Sequence, residues 1–435
     1  MTAPGLLIAA VCSGSGKTTL ALGLMRALAR RGMRVGAAKC GPDYIDPAFH
    51  KAATGRDSLN LDSWTMDEGL IARLAARAGS DADIVIAEAS MGLFDGAPNT
   101  PGRTGASADI ARAAGWPVVL VHDVSGQAQT AAAVVRGVAA HDSRLKIAGV
   151  VLNKVGSERH RRLAGDAIEA LGLAVFGALP RDAGAILPER HLGLVQAGET
   201  AGLDKILDAL ADRVEAHVDV DALRANAGGG IAAACQASIR GLRPPGQRIA
   251  VARDDAFSFF YPHLALNWRE AGAELRFFSP LADEPPPADC DVCWLPGGYP
   301  ELHAGRIASA AGFLGGLRRF AESRPVHGEC GGYMTLGRAL TGADGEVHAM
   351  AGLLQLETSF LQRKLHLGYR RAVLSADHCL GTTGTRLSGH EFHYATALRE
   401  EGPCFAMVRD AYDETELACG LRMGRVSGSF FHVIA

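Results

Sequence analysis

The stretch Ser13-Gly14-Ser15-Gly16-Lys17-Thr18-Thr19 lies between an apolar run, Leu6 to Ala10, and a helical pattern, Leu20 to Arg31, that ends at Gly32. It leaves the chain few folds to choose from. A strand, a glycine-rich turn and a helix with Lys and Thr in its first turn form a cradle of backbone N–H groups for phosphate. Gly14 and Gly16 let the backbone close around the oxygens, with Ser15 and Thr19 beside them. Lys17 is placed to reach the β/γ-phosphates and the Thr18 hydroxyl to meet Mg²⁺. Val11 replaces the first glycine of the usual G-x-x-x-x-G-K-[ST] pattern.

The rhythm set by that loop continues. Strand-like Met33–Lys39, Ile84–Ala87, Pro117–Val121 and Ile147–Asn153 alternate with helical patterns at Asp67–Ala78, Ser107–Ala114, Gln127–Ala140 and Glu158–Leu171. Apolar strands alternating with helices indicate a doubly wound parallel α/β sheet, whose ligands bind at the C-terminal strand ends. Acidic residues collect at those ends. Gly41-Pro42-Asp43-Tyr44-Ile45-Asp46-Pro47 reads as a Pro-punctuated turn carrying two carboxylates, Glu88 follows Ala87, and Met91-Gly92-Leu93-Phe94-Asp95-Gly96 comes next. Carboxylates beside a phosphate loop are suited to Mg²⁺ and to a second, reacting substrate. Each acid taken singly is equally readable as a cap or turn former. Asn153, closing its strand, offers amide hydrogen bonds to a purine, or simply ends the strand as a turn residue.

The 435 residues allow two or three domains, and the formal net charge of −3 gives no basic tail or stripe for nucleic acid. No apolar run is long enough to span a bilayer, so a cytoplasmic protein is expected. Nine cysteines at irregular spacing fit reduced thiols better than a disulfide framework. Cys290-x-x-Cys293 has no second pair at zinc-ligand spacing. Between residues 226 and 246, Gly228-Gly229-Gly230, an alanine stretch and Pro244-Pro245-Gly246 read as a linker, leaving domains at 1–225 and 247–435.

In the second half the α/β alternation restarts at Arg248–Ala252. Val292–Leu295 runs into Pro296-Gly297-Gly298-Tyr299, a glycine pair whose N–H groups can face an oxyanion, with Gly331 as a third small residue of that site. His327-Gly328-Glu329-Cys330-Gly331-Gly332 places Cys330 among small residues at a strand-to-helix corner. Such an elbow exposes a thiol at a helix N-terminus, where its thiolate is expected to be stabilised. His432, in a late strand, is the expected base, and His327 a rival. Gly389-His390-Glu391-Phe392-His393-Tyr394 lacks the helical spacing of a zinc protease, and a part in substrate binding or in joining two sites is expected.

Together S-G-S-G-K-T-T, G-P-D-Y-I-D-P, E-A-S-M-G-L-F-D-G, L-P-G-G-Y-P-E-L, H-G-E-C-G-G-Y-M, L-G-Y-R and G-H-E-F-H-Y resemble, in order and over nearly the whole chain, the cobyrinic or hydrogenobyrinic acid a,c-diamide synthases. The resemblance implies a dethiobiotin synthetase-like amidoligase followed by a class I glutaminase. ATP would phosphorylate the a and c acetates of a polycarboxylate corrinoid, and ammonia from glutamine would displace the phosphate. Cys330 would be the nucleophile and His432 its base. Position 434, where such enzymes commonly carry an acid, is Ile, which implies a dyad. Lys17, with Mg²⁺ on Thr18, Asp43 and Glu88, would serve the phosphoryl group. Asp46, Asp95 and Tyr44, with Lys364, Tyr369, Arg370 and Arg371 around L-G-Y-R, would meet the substrate. Cobyric acid synthase and the nickel-sirohydrochlorin amidase share this chemistry. A partitioning-type switch ATPase is a rival of another class, but it usually carries an extra loop lysine that this chain lacks. A homodimer is one assembly the sequence leaves open.

Overall fold

The computed structural model describes residues 2–181, 189–190, 193–229 and 241–435. The chain divides into two compact units, Met1–Ile239 and Arg240–Ala435.

In the first unit the apolar runs become β1 (Gly5–Ala10), β2 (Val35–Cys40), β3 (Ser58–Leu61), β4 (Ile84–Glu88), β5 (Val118–Asp123), β6 (Ile147–Val155) and β7 (Ala174–Pro180). They form one parallel sheet in the order β3-β2-β4-β1-β5-β6-β7. All six residues of β1 are buried, as expected of a central strand covered on both faces. The strand order reverses around β1, which places a ligand crevice at the C-terminal ends of β1, β2 and β4. Register sharpens this placement. Glu88 lies opposite both Ile8 of β1 and Lys39 of β2, so the acid ends up beside the loop that leaves β1.

Two elements differ from the sequence expectation. The turn expected through Pro47 ends earlier, because α2 (Asp46–Thr54) already begins inside it. The Asp43 carboxylate accepts the N–H groups of Ile45 and Asp46 at 2.7 and 3.0 Å, and Pro47 sits in the first turn, where its missing N–H costs no helical hydrogen bond. Strand β3 lies at one edge of the sheet, and its Ser58 and Asn60 hid it from a search for apolar runs. The expected linker has its middle, residues 230–240, outside the described residues. Its start packs on the first unit: Gly228 and Gly5 exchange backbone hydrogen bonds of 2.9 and 3.1 Å.

In the second unit, strands Glu274–Phe278, Arg248–Ala252, Val292–Leu295, Val326–Glu329 and Val426–Ser429 run parallel in that spatial order, with Leu421–Met423 antiparallel at the edge. The last strand, Phe431–Val433, instead joins an antiparallel five-stranded sheet through Arg386–His393. One face of the parallel sheet buries Phe257, Phe313 and Met334. The other buries Trp268, Trp294 and Phe405. Cys290 and Cys293 are buried apolar members of these cores. Among the described residues no helix is long and apolar enough to cross a membrane.

Candidate active sites

The phosphate loop of the first unit is held open by backbone geometry. Gly14 and Gly16 have φ of 75° and 94°, and helix α1 (Lys17–Arg30) starts directly after them. A Cβ at Gly16 would lie 2.1 Å from the Asn153 amide nitrogen, so glycine is required there by close approach as well as by φ. Asn153 itself is tied into the loop. Its amide N–H₂ donates to the Ser15 carbonyl at 2.8 Å and its oxygen accepts the Lys154 N–H at 2.9 Å. Both ends of the amide make a bond within the chain, so Asn153 braces the loop. Lys17 Nζ rests on the Cys12 carbonyl at 3.2 Å, and burial, then the nearby Lys39, lowers its pKa.

Beside the loop the carboxylates converge on a residue that sequence reading missed. Lys39, buried at the end of β2, donates to Asp46 at 2.5 Å and to Glu88 at 3.0 Å, with Asp43 at 4.0 Å. Glu88 also accepts the Thr18 hydroxyl at 2.6 Å and faces His50 Nε2 at 2.8 Å, whose other ring nitrogen meets Ser58. Burial opposes the charge on Lys39, but Asp46, Glu88 and Asp43 outweigh it and hold the ammonium well above its ordinary pKa. Burial likewise pushes Glu88 up, yet Lys39 and the hydrogen bond from His50 prevail and keep it ionised below the usual carboxylate range. A lysine inside the otherwise small and apolar strand Val-Gly-Ala-Ala-Lys-Cys was the available signal, because a buried ammonium requires partners. The Thr18 hydroxyl and the Glu88 carboxylate, in mutual contact, are hard oxygen donors of the kind that suits Mg²⁺, and Asp43 reaches the same lysine, Lys39. Asp95 is exposed, with one carboxylate oxygen taking the Gly92 N–H at 2.8 Å, and Tyr44 is half-buried.

In the second unit Cys330 stands at the corner between strand Val326–Glu329 and the short helix Gly331–Leu336, with φ 45° and ψ −101°. This is the strained elbow that small neighbours permit. Gly297 fits between the thiol and the histidine: a Cβ there would lie 2.6 Å from His432 Cε1 and 3.4 Å from Cys330 Cβ. Gly331 is equally close-packed, since a Cβ on it would stand 3.1 Å from the Gly298 nitrogen. Thus Cys330, His432, Gly297, Gly298 and Gly331 are brought together. The expected thiolate stabilisation is not found. Burial, then Glu301, pushes the Cys330 thiol far up, against a backbone hydrogen bond from Gly331 that lowers it. The thiol therefore depends on a base at the moment of attack.

His327 is removed as a rival base. It alternates to the face opposite Val326, bonds Ser427 at 2.9 Å and packs among Trp294, His378 and Phe405. His432 is fully buried, its ring stacked on His390 at 5.2 Å, and burial followed by His390 and His393 lowers its pKa well below the ordinary value. His390 in turn meets the Tyr261 hydroxyl at 2.8 Å. On the other side, Glu329 Oε2 lies 3.9 Å from His432 Nδ1, a proximity that sequence reading did not foresee.

The basic residues of the L-G-Y-R strand are arranged differently from expectation. Arg370 is not a free surface cation: it is paired with Glu391 at 3.0 Å and with Asp410. Lys364 is exposed and lies just before strand His366–Leu374, while Tyr369 is half-buried and Arg371 exposed within it. His366, Glu391 and His393 bring potential ligand atoms within 4.8 Å of one another. The two imidazole rings are nearly parallel, 2° apart at 4.6 Å, so their lone pairs run side by side rather than meeting at one point. His393 Nδ1 also donates to the Ala395 carbonyl, and Arg370 holds the second oxygen of Glu391.

Residues 6–195 match the CobQ/CobB/MinD/ParA nucleotide binding domain family and residues 248–435 the CobB/CobQ-like glutamine amidotransferase domain family. A hydrogenobyrinate a,c-diamide synthase of Mesorhizobium japonicum is 57% identical, over 100% of this chain and 99% of its own length. One from Rhodobacter capsulatus is also 57% identical, over 99% and 98%. A glutamine amidotransferase crystal structure is 19% identical over 42% of this chain and 89% of its own, with a TM-score of 0.30. With full-length relatives this similar, the chain belongs to the hydrogenobyrinate a,c-diamide synthase family.

Proposed function

We propose that this protein uses ATP and glutamine to amidate the a and c acetates of hydrogenobyrinic acid in cobalamin biosynthesis. The observation that carries the reading is the close approach of Cys330, Gly297 and His432 in a chain that also holds a phosphate loop with Thr18 against Glu88. The names of the full-length relatives favour the metal-free ring over the cobalt one.

In the second unit, His432 takes the Cys330 thiol proton as sulfur attacks the glutamine side-chain amide. The tetrahedral oxyanion meets the N–H groups of Gly297, Gly298 and Gly331. The proton passes from His432 to the leaving nitrogen, ammonia departs, and water hydrolyses the thioester to glutamate. In the first unit, ATP would pass its γ-phosphoryl group to an acetate carboxylate and leave as ADP, Mg²⁺ when bound would offset the phosphate charge, and ammonia would displace inorganic phosphate from the acyl phosphate to give the amide. Lys17 would neutralise the transferring group, Thr18 and Glu88 with Asp43 would hold the metal, and Lys39 keeps Glu88 ionised and fixes Asp46 beside it. Asp46, Asp95 and Tyr44 would be the substrate contacts of the first unit. Placement in the cytoplasm, without nucleic-acid or membrane partners, completes the reading.

Incubation with ATP, amide-¹⁵N glutamine and either hydrogenobyrinic or cobyrinic acid tests it. Two labelled amides on the metal-free ring are expected by mass spectrometry. ATP turnover with no mass gain on either ring overturns it.

A further inference from the structure

The family pattern leaves His432 without an acid, since position 434 is Ile, and Ile434 is further committed through its carbonyl to His263 at 3.1 Å. A buried imidazole that must accept a proton at one nitrogen needs its other nitrogen fixed as a donor. Within the unit one carboxylate is held in place for that. Glu329 is the residue immediately before the nucleophile, at the end of the parallel strand, and is 2% exposed. Its Oε1 accepts the Val433 N–H at 2.8 Å, and its Oε2 lies 3.9 Å from His432 Nδ1. The anchor thus comes from the residue next to the histidine it faces, so acid and base are tied to the same strand end.

We propose that Glu329 is the positioning residue for His432, supplied from the nucleophile's own strand in place of the missing acid at 434. The inference rests on the glutaminase reading above. A carboxylate at Oε2 holds the proton of His432 on Nδ1, so that Nε2 is the nitrogen that takes the thiol proton. His390, stacked on the opposite face of the imidazole, and the Tyr261 hydroxyl beyond it limit tilting of the ring. The 3.9 Å separation is loose, as catalytic contacts commonly are before substrate binds.

The ionisable groups around the pair are Cys330 on the corner, His390, Glu391 and His393 on strand Arg386–His393, and Glu301, which acts on the thiol. Burial pushes the Glu329 carboxyl up to about 8, against the one backbone hydrogen bond from Val433. Loss of this proton creates the competent arrangement, so kcat/KM for glutamine is expected to rise with pH through the titration of the pair.

Glu329→Gln decides the matter. The Val433 N–H requires an acceptor, so the amide oxygen of the new side chain stays there and its N–H₂ turns toward His432 Nδ1, forcing the wrong tautomer. The expected result is a loss of glutaminase kcat of about 10²–10⁴-fold, the scale seen when a triad acid becomes an amide. KM for glutamine stays within a factor of about two, the acid limb of the pH profile disappears, and ammonia-supported amidation is retained. Glu329→Asp, which keeps the charge, recovers part of the rate. Imidazole-¹⁵N NMR recorded above the Glu329 titration, with His432 assigned by its substitution, should show Nδ1–H in the native protein and Nε2–H in Glu329→Gln. Native glutaminase rate and pH limb in Glu329→Gln, an unchanged His432 tautomer, or equal loss of glutamine and ammonia activities would each overturn the proposal. Absence of glutaminase activity from the native protein overturns the functional reading instead, and the NMR measurement then still decides the role of Glu329.

Discussion

Substituting Gly297 by Ala is the smallest change that separates nucleophile from base. The added methyl carbon would stand 2.6 Å from His432 Cε1, 3.4 Å from Cys330 Cβ and 3.4 Å from Phe259 Cβ. Ordinary carbon contacts lie at about 3.5–4.0 Å, so the imidazole must withdraw by about 1 Å. It has little room, being fully buried and stacked on His390. A misplacement of about 1 Å in a reacting constellation costs on the order of 10²-fold in rate, and overpacking of this kind costs about 1–3 kcal/mol of stability. The assay is glutamate release from glutamine, run beside amidation supported by ammonium chloride and thermal unfolding of the same sample. The expected variant loses about 10²-fold of glutaminase kcat, keeps ammonia-supported amidation and melts a few degrees lower. A native glutaminase rate in Gly297→Ala would refute the placement of Gly297 between the two groups.

Three further outcomes follow from the same geometry. Cys330→Ala should abolish glutamine use and leave amidation with high free ammonia, measured by product mass; loss of both activities in a folded variant would argue against two separable sites. Lys39→Met removes the cation among Glu88, Asp46 and Asp43, and a buried charge left without its partner costs about 3–5 kcal/mol. Urea unfolding should register that loss while glutamine hydrolysis persists, and native stability would contradict the charge arrangement. The third concerns acid. The folded-state pKa of Glu88 is depressed, so its contribution to stability is complete above the ordinary glutamate value, about 4.3, and is lost as pH falls below it toward the lower folded value. The stability advantage of the native protein over Glu88→Gln should therefore hold steady down to about pH 5 and shrink progressively below it. A constant difference would mean that Glu88 is not held ionised.

Local patterns in the sequence revealed the parts of this molecule whose signals are local. The phosphate loop, the central strands of the first sheet and the Cys330 corner each announce themselves within ten residues. What stayed hidden depends on tertiary register. Lys39 looked like the end of a strand until β4 placed Glu88 opposite it. Asn153 looked free until the loop closed over it. Strand β3 carries polar residues and was passed over, although at Ser58 those residues are buried and used by His50. Arg370 read as a substrate-facing cation because Asp410, forty positions away, pairs with it only across the antiparallel sheet. Glu329 was in plain view beside the cysteine, and only the return of the final strand turned it toward a histidine.

The exchange of backbone hydrogen bonds between Gly5 and Gly228 has a consequence for how the protein is made. Strand β1 leaves the ribosome first, yet its neighbours β4 and β5 and its closing contact at Gly228 are synthesised later, the last of them more than two hundred residues behind. At elongation rates of about 5–20 residues per second, the most apolar strand of the unit waits on the order of ten seconds or more for its last partner. Leu6, Leu7 and Ile8 find their partners earlier, in β4 and β5, so the late contact closes only the Gly5 end of the strand, and nascent chains stalled before β5 should be the ones that engage chaperones.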